Sequence, residues 1–156
     1  MTVTLKKNES PLTTEDIRWF LRDTPEHNIL LPDDVEFSDE DIRRAIRFAV
    51  SKYNAMTPQT AYGPESIHEY ILLCGVCAIL LRSEGVRQNR NEMRSQDGNI
   101  ANVNLDEKQA QYAQWADLMQ REFDHHARQV KTQNNMESCY SSFSSGYRFL
   151  SRRWYY

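Results

Sequence analysis

The side chains in this sequence whose types could do chemistry are three cysteines, four histidines and a run of carboxylates. Cys74-Gly-Val-Cys77 has the CxxC spacing of a redox pair. Such pairs work at a helix N-terminus, where the dipole lowers the first thiol's pKa. Here the pair lies inside an apolar run, where burial raises a thiol's pKa, so packing in the core is the expectation. A zinc site would need two more ligands. The histidine pair His125-His126 is adjacent, which on a helix splays the rings by about 100°, and the His-x3-5-His spacing is absent. Asp33, Asp34, Glu36, Asp39, Glu40 and Asp41 lack the spacing of a calcium loop, and helix-start carboxylates on a solvated face account for them better. Ser141, Ser142, Ser144 and Ser145 sit in no Gly-x-Ser-x-Gly elbow. The five glycines are scattered and form no phosphate loop. The expectation is a protein that is not an enzyme, with no catalytic, metal or cofactor site.

The elements that would position these residues are helical. Tyr70 to Leu81 carries no charge, and its apolar side chains point all round a helical wheel, so this helix must be covered on every side. Twelve residues at about 1.5 Å of rise span only about 18 Å, too short for a bilayer core of about 30 Å. The stretch from Ser66 to Ser83 is therefore expected as the buried central helix, with Pro64 suited to its first position and Arg82-Ser83-Glu84-Gly85 marking an end or kink. Ahead of it, Thr14 can cap a short helix over Glu15 to Leu21 or Arg22 that buries Ile17, Phe20 and Leu21. Asp23-Thr24-Pro25 stops that helix. Ile29, Leu30, Leu31, Val35 and Phe37 should pin the following connector. Ser38-Asp39-Glu40-Asp41 is a strong helix start with Phe37 as a staple, and Ile42, Ala45, Ile46, Ala49, Val50 and Tyr53 recur as one buried face up to about Asn54.

Between 86 and 104 the pattern is open. Asp97-Gly98 is a hairpin signal and Ile100 to Val103 alternates weakly, so a short β-hairpin insertion or a polar loop would fit. From Leu105 or Asp106 the longest helix runs to about Thr132, with Ala110, Tyr112, Ala113, Trp115, Leu118, Met119, Phe123, Ala127 and Val130 as its apolar stripe. The fold class is thus all-α: a small bundle over residues 1–133 with a buried central helix and one long C-terminal helix. Residues 134–156 are Ser-rich with no helical period and read as an extended tail.

At 156 residues the chain is long enough to bury a core without disulfides or metal. Glu9 to Asp41 holds 11 acidic residues against Arg18 and Arg22, whereas residues 134–156 hold only Glu137 against Arg148, Arg152 and Arg153. That asymmetry suggests two surfaces with different partners, and no Lys/Arg stripe argues for gripping a duplex. The odd cysteine count, two of them in the apolar helix, fits reduced thiols in a cytosolic protein, and the start of the chain lacks a signal core. The tail carries Tyr140, Phe143, Tyr147, Phe149, Leu150, Trp154, Tyr155 and Tyr156 beside its three arginines. It could fold back on its own core. Aromatics and Arg are, however, the types enriched at interface hot spots, and docking on a partner is the more economical account.

Asp16-Ile-Arg-Trp-Phe-Leu-Arg-Asp23, Asn28-Ile-Leu-Leu31 and Val35-Glu-Phe-Ser-Asp-Glu-Asp-Ile42 resemble the start of tailed-bacteriophage head–tail connector (adaptor, head-completion) proteins. The apolar central helix, the arginine-bearing Asp97-Gly98 loop and the long last helix follow in the same order. The resemblance implies an all-helical virion subunit in the neck, present in the host cytoplasm during assembly. It implies a ring of copies, usually twelve, beneath the portal protein, with a downstream neck or tail protein below. On this resemblance DNA would pass through the lumen without sequence-specific binding, and no membrane would be involved. The resemblance also implies that the C-terminal segment docks on the portal, with Tyr140, Phe143, Tyr147, Arg148, Phe149, Leu150, Arg152, Arg153, Trp154, Tyr155 and Tyr156 as the expected docking residues. Arg87, Arg90, Arg94 and Asp97 become candidates for lumen or neighbour contacts. The rival reading is a small helical interaction or regulatory module of a phage or bacterial cytoplasmic complex that binds one partner without forming a ring.

Overall fold

The computed structural model describes residues 12–28, 35–95 and 106–151, with side chains at 12–28, 35–90 and 110–139. Four helices account for the secondary structure there: α1 (Thr14–Leu21), α2 (Asp39–Ala55), α3 (Glu69–Ser95) and α4 (Asp106–Ser151), with a 3-10 turn at Pro64–Ser66. The all-α class holds, and no strand occurs among the described residues. The hairpin signal at Asp97-Gly98 and Ile100 to Val103, and the connector residues Ile29, Leu30 and Leu31, lie outside the described residues.

Helix starts follow from local chemistry. Asp16 accepts from the Thr13 amide at 2.9 Å while the Thr13 hydroxyl accepts from the Asp16 amide at 3.2 Å, a capping box. The cap is thus Thr13 and not Thr14, because the box needs a carboxylate three residues on, where Thr14 would find Ile17. Ser38 caps α2 as expected, its hydroxyl accepting from the Asp41 amide at 3.2 Å. Helix α1 ends where Arg22 turns left-handed at φ 58°, its amide bonding back to Arg18 and Trp19 carbonyls.

Helices α3 and α4 form an antiparallel hairpin: Gly75 meets Phe123, Arg82 reaches Asp117 and Gly85 faces Tyr112, one number rising as the other falls. Helix α2 lies across this pair, and α1 touches α2 and α3. From Ile71 to Leu80, α3 is buried apart from half-buried Leu73 and Ile79, so the all-round apolar stretch is enclosed by its neighbours. On α2, Ile42, Ala45, Ala49 and Tyr53 are buried and Ile46 and Val50 half-buried, the face expected from their spacing.

Further expectations need correction. Helix α3 begins at Glu69, and Pro64 opens a separate 3-10 turn instead of the first turn of that helix. Helix α3 does not stop at Gly85 but continues to Ser95. A helical glycine costs only about 1 kcal/mol, which packing against α4 outweighs. Phe20, expected inside α1, is exposed, because α1 seats only the Ile17 line on the core. On α4 the buried line is Ala116, Phe123 and Ala127, flanked by half-buried Tyr112, Met119 and Val130. Ala110, Ala113, Trp115 and Leu118 fall on its other side and are exposed. Finally, α4 does not end near Thr132: residues 134–151, read as an extended tail, keep a helical backbone. This stretch contains no proline and only Gly146, and an existing helix gains one hydrogen bond for each residue added. Serine's modest propensity cost is not enough to stop it.

Candidate functional site

Among the described residues, α4 runs on well past the start of α3. Residue 75 of α3 meets 123 of α4 and 82 meets 117, so Glu69, where α3 begins, lies opposite about residue 128. Near the end of α2, α4 is tied to the body by Lys131. Its side chain is 2% exposed, and Nζ donates to the carbonyls of Met56 at 2.6 Å and Pro58 at 2.9 Å, just past the end of α2. It also stands 4.7 Å from the centre of the Tyr53 ring. A cation at a helix C-terminus complements the dipole and satisfies carbonyls that have no helical partner. Burial pushes the Lys131 pKa below its ordinary value.

Beyond Lys131 the environment changes within one residue. From Thr132 to Cys139 every side chain is exposed except half-buried Asn134. Met136, a large apolar side chain, is 52% exposed. The helix then runs on to Ser151, so the overhang counted from Thr132 is about 30 Å long at 1.5 Å per residue. Of the docking residues expected from sequence, Tyr140, Phe143, Tyr147, Arg148, Phe149 and Leu150 lie on this helical backbone. Arg152, Arg153, Trp154, Tyr155 and Tyr156 are outside the described residues, as is Asp97.

The arginines proposed for lumen or neighbour contacts separate. Arg87 is engaged within its own subunit: its Nε lies 2.8 Å from Glu84 Oε2 and its Nη2 3.8 Å from Glu36 Oε1. Arg90 is exposed, and Arg94 lies on the α3 backbone with its side chain outside those described. The Arg87 cluster has no signal in the sequence, because its members come from three distant segments. Glu84 is 3% exposed and also accepts from Gln88 Nε2 at 2.7 Å. Tyr112 Oη donates to Glu36 Oε1 at 3.4 Å. Burial, reinforced by the Glu84 charge, raises the Glu36 pKa, and burial with the nearby Glu36 and Glu84 charges pushes the Tyr112 hydroxyl up to about 12. Two carboxylates held together by one arginine, with Arg87 itself about half exposed, form a clamp joining the α2 connector to the hairpin.

Asp23 is a second clamp that the sequence did not reveal. It is 3% exposed and accepts from Arg18, from Asn28 and from the amides of Glu36 and Phe37. The cysteine pair packs in the core as expected: Cys74 and Cys77 are buried, burial raises both thiols, and Cys77 is pushed up to about 12. A thiol held protonated at neutral pH is a poor nucleophile. The rings of His125 and His126 lie 5.3 Å apart at 73°, and His126 instead pairs with Glu122 at 3.2 Å. Among the described residues no group of three or more His, Cys, Asp or Glu side chains could hold a metal ion, and no helix is long and apolar enough to cross a membrane.

No protein family, curated protein or solved structure matches the chain.

Proposed function

We propose that the chain is a structural head–tail adaptor subunit of a tailed bacteriophage, not an enzyme. In this reading copies assemble as a ring beneath the portal in the virion neck, and the C-terminal end of α4 grips the portal. The observation that supports it most is the contrast along α4. Up to Lys131 the helix sets buried Ala116, Phe123, Ala127 and Lys131 on the body, and from Thr132 to Cys139 every side chain but half-buried Asn134 is exposed. A helix that runs on past its own core with Met136, Tyr140, Phe143, Tyr147 and Leu150 in its sequence suits a subunit whose partner is another protein. Charge fits the same role. All 22 acidic residues lie in residues 1–137 with the other 16 of the 19 Lys and Arg, while residues 138–156 hold Arg148, Arg152 and Arg153 alone. An acidic body lets DNA pass without gripping it.

The test is a chain ending at Cys139, compared with the full chain for melting temperature and for capture by its portal ring. The truncated chain should melt as the full chain does and fail to bind. Retained binding, or loss of the fold on truncation, would overturn the proposal. Mass measurement of the portal complex then separates a ring of adaptors from a single-copy module.

A further inference from the structure

The helical backbone gives the end of the chain a periodicity that an extended tail would lack. Met136, Tyr140, Phe143, Tyr147 and Leu150 are spaced four, three, four and three residues apart. On a helix that is the a/d repeat of a coiled-coil seam, so these five positions share one face. The first of them, Met136, is exposed with its side chain described. Between Ser138 and Tyr147 there is no charged residue, whereas a solvated helix ordinarily carries charged pairs on its surface.

We infer that residues 136–150 engage their partner as a helix, laying this five-residue stripe into an apolar groove rimmed by carboxylates. The inference rests on the docking role proposed above and assigns its geometry. Length and charge choose the occupant. The stripe covers about two heptads, short of the three to four that sustain a free-standing coiled coil. Parallel self-association would also bring the Arg148, Arg152 and Arg153 of each copy together. A preformed groove removes the first problem, because only one helix must be ordered on binding. Carboxylates on the rim remove the second, since residues 138–156 carry three arginines and no acidic side chain.

The experiment uses the full-length chain and its portal ring as the probe. Phe143→Asp and Tyr147→Asp place a charge on the stripe. Ser142→Asp and Ser145→Asp place the same charge on the other faces of the same helix. The stripe variants should bind the portal at least about 30-fold more weakly, and the off-stripe variants within about 3-fold of the parent. Circular dichroism should show the same helix content in all four. Equal losses on and off the stripe would refute a helical seam. Full binding by all four, with binding still lost on truncation at Cys139, would refute the stripe but leave the docking role standing. Binding that survives the truncation would instead overturn the docking role itself. Two further outcomes bear on the occupant. A lower sedimentation mass of the stripe variants alone would make it a second copy, and affinity that does not fall with added salt would remove the carboxylate rim.

Discussion

Replacing Gly75 by alanine should destabilise this protein, although alanine is the better helix former. A Cβ built on Gly75 would lie 2.7 and 2.8 Å from two ring carbons of Phe123 and 3.2 Å from the Cβ of Ala49. Phe123 is fully buried, and Ala49 belongs to α2, so side chains from two other helices meet α3 at this glycine. A real Cβ does not approach ring carbons within 3.0 Å, so Phe123 or the α3–α4 spacing must shift. Overpacking of this kind costs about 1–3 kcal/mol. The gain from removing a helical glycine is about 1 kcal/mol. The net expectation is a loss of up to about 2 kcal/mol, or a fall in Tm of up to roughly 6 °C for a chain of this size. Gly85→Ala is the internal control. There the added Cβ meets only Tyr112 Cβ at 3.7 Å, an ordinary contact, so helix propensity alone acts and Tm should rise by roughly 3 °C. Thermal melts followed by circular dichroism read both. Shifts of the same sign in the two variants would refute the close-crossing argument.

Other expectations follow from the two clamps and the lysine. The raised pKa of Glu36 means that the unfolded chain loses this proton first as pH rises past the ordinary value of 4.5, so stability falls from there up to the folded-state pKa. Glu36→Gln should therefore melt higher than the parent at pH 7 and match it at pH 4; denaturant titrations at the two pH values decide this. Lys131→Met keeps the bulk but takes the charged donor from two carbonyls, at a cost of about 1–3 kcal/mol. An unchanged denaturant midpoint would contradict that. Asp23→Ala strips the acceptor from four donors and should cost about 3 kcal/mol, and amide exchange at Glu36 and Phe37 should quicken with it.

How much of this was legible in the sequence depended on the range of the interactions. Ser38 and Asp41 sit three residues apart, so the start of α2 could be read directly, and the buried face of α2 repeats within one helix. The all-round apolar run of α3 required cover whatever supplied it. Gly75 and Gly85 look alike in sequence, and only the crossing helices give one of them a packing role. Gly85 read as a stop because its local cost was visible and the packing that offsets it was not. Glu36, Glu84 and Tyr112 come together from segments dozens of residues apart, and Lys131 reads as one more charge on a solvated face. The end of α4 is hard to read for another reason. Its serines resemble a loop signal and mask the four–three spacing of Met136, Tyr140, Phe143, Tyr147 and Leu150.

The claim on which the account depends is that α4 beyond Lys131 belongs to a partner. Amide hydrogen exchange across α4, in the free full-length chain and in its complex with the portal, tests it most directly. In the free chain the amides of residues 136–150 should exchange faster than those of residues 112–131, and in the complex they should slow to match them. If residues 136–150 exchange at the same rate in both states while protection appears on α1 or α2 instead, the overhang is not the docking element.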